Sequence, residues 1–339
     1  MVWFHAEVSF IFLYNSSKGS KTITADFQSD IPVPPQVFTI SINFTPFTFL
    51  FLVVYSSLLF CLLSVQDFFS IWILIELLIL VFLGISYTVL SFRFSSVMQY
   101  FLIQTLASFS IFVFYFLSSS IPLTLSFLLK LSMFPFHSWF LSLMVRFPNS
   151  LLFLSSTFHK LPPFYLIVAS LSSLSLKLLL VSSLFSLLIS GLVIVVLSDI
   201  RFLLVSSSVG NNSWLYLSLL QGFHTFSLFF LVYTFSLFFA ISFFRSSSRV
   251  AASPGILIYL SFLSLSGFPP FPLFFIKAYV IFLSMSLSYI IVVLLIFSAL
   301  VLVSYIRSLF HFATFHFATF RSFLLFWWVS LCKNFSLQN

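Results

Sequence analysis

The 339-residue chain is 61% hydrophobic and only 6% charged, with a formal net charge of +8. A soluble domain carries about 25% charged residues, so this composition excludes a water-soluble enzyme or binding module and indicates an all-α, polytopic transmembrane helical bundle. The positive charges are scattered one or two to a loop, which suits membrane orientation and lipid contact and argues against a nucleic-acid partner.

In chain order, residues 1–40 form an N-terminal arm that stays unassigned. Residues 2–14 are apolar but too short to span, with Glu7 interrupting them, and 15–36 are polar and proline-bearing. Residues 41–335 read as a single transmembrane domain. Apolar runs fall near 44–65, 68–90, 97–118, 121–147, 150–172, 175–197, 201–220, 223–244, 256–285, 287–309 and 319–334, which makes about eleven helices. Two of them, 121–147 and 256–285, are broken by proline. The run at 201–220 is the weakest, because SSSVGNNS lies in its middle.

The 54 phenylalanines and the abundant serines read as compositional drift rather than chemistry. Cys61 and Cys332 have neither metal nor redox spacing and are expected to be buried small hydrophobes. His311 and His316 belong to a tandem duplication, HFATFHFATF, and do not supply the facing pair that haem ligation needs. Arg93, Arg146, Arg201, Arg245, Arg249, Arg307 and Arg321 fall in alternate loops, on the side shared by Lys18 and Lys21. The positive-inside tendency then puts the N-terminal arm on the cytoplasmic, or equivalent matrix, side and the C-terminus opposite.

Four ionisable residues remain inside apolar runs: Glu76, Lys130, Lys160 and Lys277. Each costs about 2.5–3.5 kcal/mol at a helix centre on insertion scales, so each needs a reason to be there. Glu76 can serve as a proton carrier or be neutralised for packing alone. Lys130 lies five residues before Pro135, and Lys277 follows Gly267, Pro269, Pro270 and Pro272. Proline removes a ladder hydrogen bond, so both helices must break beside a lysine, and broken backbone survives in lipid only where protein buries it or water reaches it. Two broken segments, one in each half of the chain, are the pattern of an inverted-repeat transporter. Lys160 precedes Pro162 and Pro163, again where backbone groups are freed. His137 is a candidate relay or a cap for freed carbonyls, and Lys177, near a run start, is expected to snorkel to the interface.

At these residues the chain resembles the subunit 2 family of mitochondrial NADH dehydrogenase, the antiporter-like membrane subunits of respiratory complex I. The similar stretches are Glu76 in its helix, MQYFLIQTLASFSIF at 98–112, LLKLSMFPFHSWF at 128–140, FHKLPPFYLI at 158–167, DIRFLLVSSSVGNNSW at 199–214 and SLSGFPPFPLFFIKAYV at 264–280. The resemblance implies an antiporter-like inverted repeat truncated at its N-terminus, in the mitochondrial inner membrane. It implies proton translocation coupled to NADH oxidation by ubiquinone, with Glu76 and Lys130 as a coupled pair, Lys160 as central relay and Lys277 in a second half-channel. Asp199 and Arg201 match a polar loop of the family. The chain departs from the pattern at Phe202, where a lysine is common, and at Asn211, where a histidine is common. No Gly-rich nucleotide loop, CxxC cluster or haem pair occurs in the sequence. NADH, FMN, iron–sulfur clusters and ubiquinone would therefore belong to the redox arm and other membrane subunits, with no cofactor or metal in this chain. A stand-alone sodium/proton antiporter, or a structural membrane subunit without a working channel, remains the alternative.

Overall fold

A computed structural model describes residues 46–89, 94–196, 200–247, 255–269, 271–284 and 292–307. The first helices are α1 (Pro46–Ser64), α2 (Phe68–Val89) and α3 (Phe94–Phe116). The next run is split into α4 (Ser120–Lys130) and α5 (Ser138–Met144), and the one after into α6 (Asn149–Ser156), a 3-10 turn (Phe158–Lys160) and α7 (Leu161–Ala169). Then come α8 (Leu176–Val196), α9 (Ile200–Gln221), α10 (Phe223–Ser247), α11 (Gly255–Ser266) and α12 (Pro272–Leu283). The last described helix, α13, is Val292–Arg307. Every run expected between 44 and 309 is helical. The run at 319–334, the N-terminal arm with its lysines, Asp199, His311, His316, Cys332 and three of the arginines used for orientation (93, 249 and 321) cannot be compared, because they lie outside the described residues.

Six spans among the described residues are long and apolar enough to cross a membrane: Phe47–Ser64, Phe68–Val89, Ser95–Phe116, Asn149–Ala169, Leu176–Val195 and Phe223–Ser242. Large apolar side chains such as Phe47, Phe60, Phe69, Leu106 and Phe235 face outward, as lipid contact demands. Cys61 also lies on the outside of α1, exposed rather than buried as expected. A thiol facing hydrocarbon meets no solvation penalty that would drive it inward. Lys177 is exposed at the second residue of α8, as expected of an interfacial lysine.

The weakest expected run is the most enclosed helix. Residues 203–219 of α9 are all buried. Its serines return their hydroxyls to their own helix, Ser206 to the Phe202 carbonyl at 2.7 Å, Ser207 to Leu204 at 2.9 Å and Ser208 to Val205 at 2.7 Å. A polar stretch so satisfied needs protein rather than lipid around it. Its neighbours approach closely: a Cβ on Gly210 would stand 2.8 Å from Ser190 Oγ and collide with the Phe297 ring of α13. Gly210→Ala is therefore expected to destabilise the bundle by about 1–3 kcal/mol, as overpacking does. A thermal-shift assay of the detergent-solubilised protein reads this as a lowered midpoint, partly restored by Phe297→Leu. An unchanged midpoint would mean that the ring swings clear.

Three runs are broken, not two. The third is 150–172, where Pro162 and Pro163 cannot donate to the carbonyls one turn back. The chain answers with the 3-10 turn Phe158–Lys160, in which Leu161 N–H bonds the Phe158 carbonyl and Lys160 N–H bonds Thr157 at 3.0 Å.

Candidate functional site

The first break begins at the C-terminus of α4. Pro135 leaves the Leu131 carbonyl without its helical donor. Asn212 of α9 supplies one instead, its Nδ2 donating to Leu131 O at 2.7 Å. Gln104 of α3 treats the preceding carbonyl likewise, Nε2 to Lys130 O at 3.3 Å. Ser132 takes the left-handed region with φ 55°, which turns the chain out of the helix, and its hydroxyl adds a bond to Leu131 O at 2.5 Å. Two amides from other helices thus stabilise irregular backbone in a place where water is scarce.

The second break repeats the device. Pro270 would have been the donor for Ser266 O had the helix continued. Gly267, at φ 80°, makes the turn, and Lys277 Nζ donates to Ser266 O at 3.4 Å. The amine also lies 5.7 Å from the centre of the Trp214 ring of α9 and packs against Gly267, where any side chain would crowd it. Gln221, at the end of α9, donates to Val280 O of α12 at 2.7 Å.

All three lysines expected from sequence are buried. Lys160 Nζ donates to the Ser208 carbonyl of α9 at 3.0 Å and sits 5.3 Å from the Phe140 ring centre. Lys130 and Lys160, which come from different broken runs, line one small buried cavity together with Tyr100, Gln104, Ser132, Ser155 and His159. α9 is the common element: Ser208 meets Lys160, Asn212 holds the backbone beside Lys130, and Trp214 lies under Lys277. Ser208 and Trp214 are six residues apart, about 9 Å along the axis.

Glu76 sits on the half-buried face of α2, held to α3 one turn earlier by Trp72 Nε1 donating to Ser108 O at 2.9 Å. Its Oε1 and the Nζ of Lys130 are both buried, and neither has a hydrogen-bond partner.

His137 is buried at the N-cap of α5, 6.3 Å from the Phe134 ring, and makes no side-chain cap bond. It does not line the lysine cavity; His159 does. Sequence reasoning missed His159, Gln104 and Asn212. The signal for His159 was its place beside Lys160 in FHK. The signal for the amides was the proline itself, which demands a donor for the carbonyl four residues back. Arg201, expected in a polar loop, is in the first turn of α9 and donates Nη1 to Val145 O at 3.3 Å and Nη2 to Asn149 Oδ1 at 3.0 Å, closing the turn between α5 and α6.

The family model described as NADH:quinone oxidoreductase/Mrp antiporter, transmembrane, matches residues 114–304, which span all three breaks and all three lysines. The chain is similar to a protein from Albinaria caerulea named NADH-ubiquinone oxidoreductase chain 2, with 30% identity over 256 residues, 70% of this chain and 80% of the relative. Its fold is similar to a chain of respiratory complex I from Thermus thermophilus, with a TM-score of 0.66 and 18% identity, covering 77% of this chain and 69% of that one. A chain of the Mrp complex from Dietzia sp. has a TM-score of 0.63 at 16% identity, covering 76% of this chain and 59% of that one. With broken helices, buried lysines and polar central helix all inside the matched span, the chain belongs to the NADH:quinone oxidoreductase/Mrp antiporter family of transmembrane proteins.

Proposed function

We propose that this chain is a core membrane subunit of respiratory complex I that moves protons across the mitochondrial inner membrane while electrons pass from NADH to ubiquinone in partner subunits. One observation carries the reading: Lys130 and Lys160, brought from two separate broken helices, open onto the same buried cavity. An amine held away from water can release and regain a proton in a cycle. In this mechanism the charge of Glu76 biases Lys130. A proton leaving Lys130 enters the cavity and is taken up by Lys160, and the change of charge there is felt across α9 at Lys277. His137 supports the break beside Lys130. FMN, iron–sulfur clusters and the NADH and ubiquinone sites belong to the redox arm, and neighbouring membrane subunits complete the path on either side.

The test is Lys160→Met, made in the assembled complex and assayed in sealed vesicles. Proton pumping should fall at least about tenfold, equivalent to about 1.4 kcal/mol on the barrier, while assembly persists. Wild-type pumping would overturn the reading. The stand-alone sodium/proton antiporter is the second reading, favoured by the likeness to the Mrp chain. It requires transport by the isolated chain without NADH and no association with a redox arm. Co-purification with NADH-oxidising subunits decides between the two.

A further inference from the structure

We propose that His159, held by Tyr55, is a positioning residue for proton transfer between Lys130 and Lys160. Its ring gives the cavity a hydrogen-bonding wall and does not itself carry the proton. The proposal rests on the proton-translocating reading above.

Four observations support it. First, His159 lines the cavity shared by the two amines. Second, its Nδ1 and the Tyr55 hydroxyl of α1 are hydrogen-bonded at 3.2 Å, with both side chains buried. Third, the ring is caged by aromatic neighbours, with centroids 4.8 Å from Phe82, 5.8 Å from Tyr100 and 6.4 Å from Tyr55. Fourth, three of the other polar wall groups have backbone partners. Gln104 caps Lys130 O, Ser132 bonds Leu131 O, and Ser155 bonds Leu152 O at 3.1 Å. His159 caps no break. Its bond goes to a side chain on the outermost described helix, so backbone satisfaction does not account for it.

The ring's geometry selects positioning over carriage. A histidine relay takes a proton on one nitrogen and gives it from the other, so its two nitrogens must face the two ends of the path. Here Nδ1 is engaged with Tyr55, which leaves Nε2 as the nitrogen outside that bond, while both lysines border the same cavity. A proton crossing that cavity has no need to traverse the ring. A phenol can donate or accept, so Tyr55 satisfies Nδ1 in either neutral tautomer. Whichever neutral tautomer is present, the bond to Tyr55 holds the ring in place and leaves Nε2 as its second hydrogen-bonding position.

The experiment compares His159→Gln, His159→Leu and Tyr55→Phe in the assembled complex, with Lys160→Met as control, measuring proton pumping, NADH:ubiquinone turnover and its pH profile. His159→Leu should lose at least about tenfold in pumping, on the scale of a misplaced proton path. His159→Gln keeps a side-chain donor and acceptor. It should pump at least about fivefold faster than the leucine variant and keep the wild-type pH profile. Tyr55→Phe should lose about threefold or more without loss of assembly. Wild-type pumping by His159→Leu while Lys160→Met is silent would overturn the proposal and leave the function intact. A glutamine variant as inactive as the leucine one, or one that loses a limb of the pH profile, would also overturn it, since the ring would then be carrying protons. If His159→Leu does not assemble, Tyr55→Phe decides: wild-type pumping there, with Lys160→Met silent, overturns the positioning role. Wild-type pumping by Lys160→Met would instead remove the proton-translocating reading itself.

Discussion

Neutralising either member of the Glu76–Lys130 pair is expected to stop coupled proton pumping, and the double variant is expected to be no worse than either single. The two groups make no hydrogen bond to each other or to anything else through Glu76 Oε1 and Lys130 Nζ. Opposite charges in low-dielectric protein reach each other over longer distances than in water. Lys130→Met leaves a carboxylate with no cation to oppose it, and Glu76→Gln leaves an amine with no anion; each stranded group favours its neutral form. Either loss removes the alternation of charge that a proton step needs, so pumping should fall at least about tenfold, or about 1.4 kcal/mol on the barrier. Residues that act as a unit are non-additive. Pumping and NADH:ubiquinone turnover in sealed vesicles, measured for both singles and the double, check this. Strictly additive losses would reveal two independent sites.

The second large effect concerns structure at the same place. Asn212→Leu is expected to lower stability by about 0.5–1.5 kcal/mol, the net contribution of one hydrogen bond to a buried carbonyl. Leu131 O loses its donor from another helix and keeps only the neighbouring Ser132 hydroxyl, and lipid offers no substitute. Because Lys130 precedes Leu131 directly, a carbonyl that turns to find another partner carries the amine with it. Pumping should therefore fall along with the unfolding midpoint of the solubilised complex. Ser206→Ala, on the same helix, removes a hydroxyl that serves only its own helix, and should leave both measurements close to wild type. Equal effects from the two variants would show that burial on α9 matters and capping of the break does not.

What sequence conveyed here follows from how strongly lipid penalises each residue type. Apolar runs and prolines register at once, so the helices and the breaks at Pro135 and Gly267–Pro272 were legible. Charges in hydrocarbon register equally, which is why Lys130, Lys160 and Lys277 stood out. Uncharged polar groups do not. Asn212 reads as a blemish in a weak run, yet its partner Leu131 lies 81 positions earlier. Tyr55 and His159 are separated by 104 positions, and nothing in the helical period of either segment connects them. The same blindness made 201–220 look doubtful, since hydropathy assumes a lipid neighbour and α9 has protein on every side over residues 203–219. His137 attracted attention through its proximity in sequence to Lys130, whereas the cavity is walled by the histidine next to Lys160.

The polarity of α9 also has a consequence for how the protein is made. A helix whose middle reads SSSVGNNS gains little by partitioning alone from the translocon into lipid, because each serine and asparagine there opposes the transfer. Its neighbours α8 and α10 are among the spans apolar enough to partition by themselves. The Ser186 and Ser213 hydroxyls meet across the α8–α9 contact, and Thr225 of α10 bonds back to Ser218 O at 2.5 Å. α9 is therefore expected to enter the bilayer together with α8 and α10 rather than alone. Its integration waits on the ribosome having delivered α10, and the lysine-bearing segments before it stay without their central partner until that moment in synthesis.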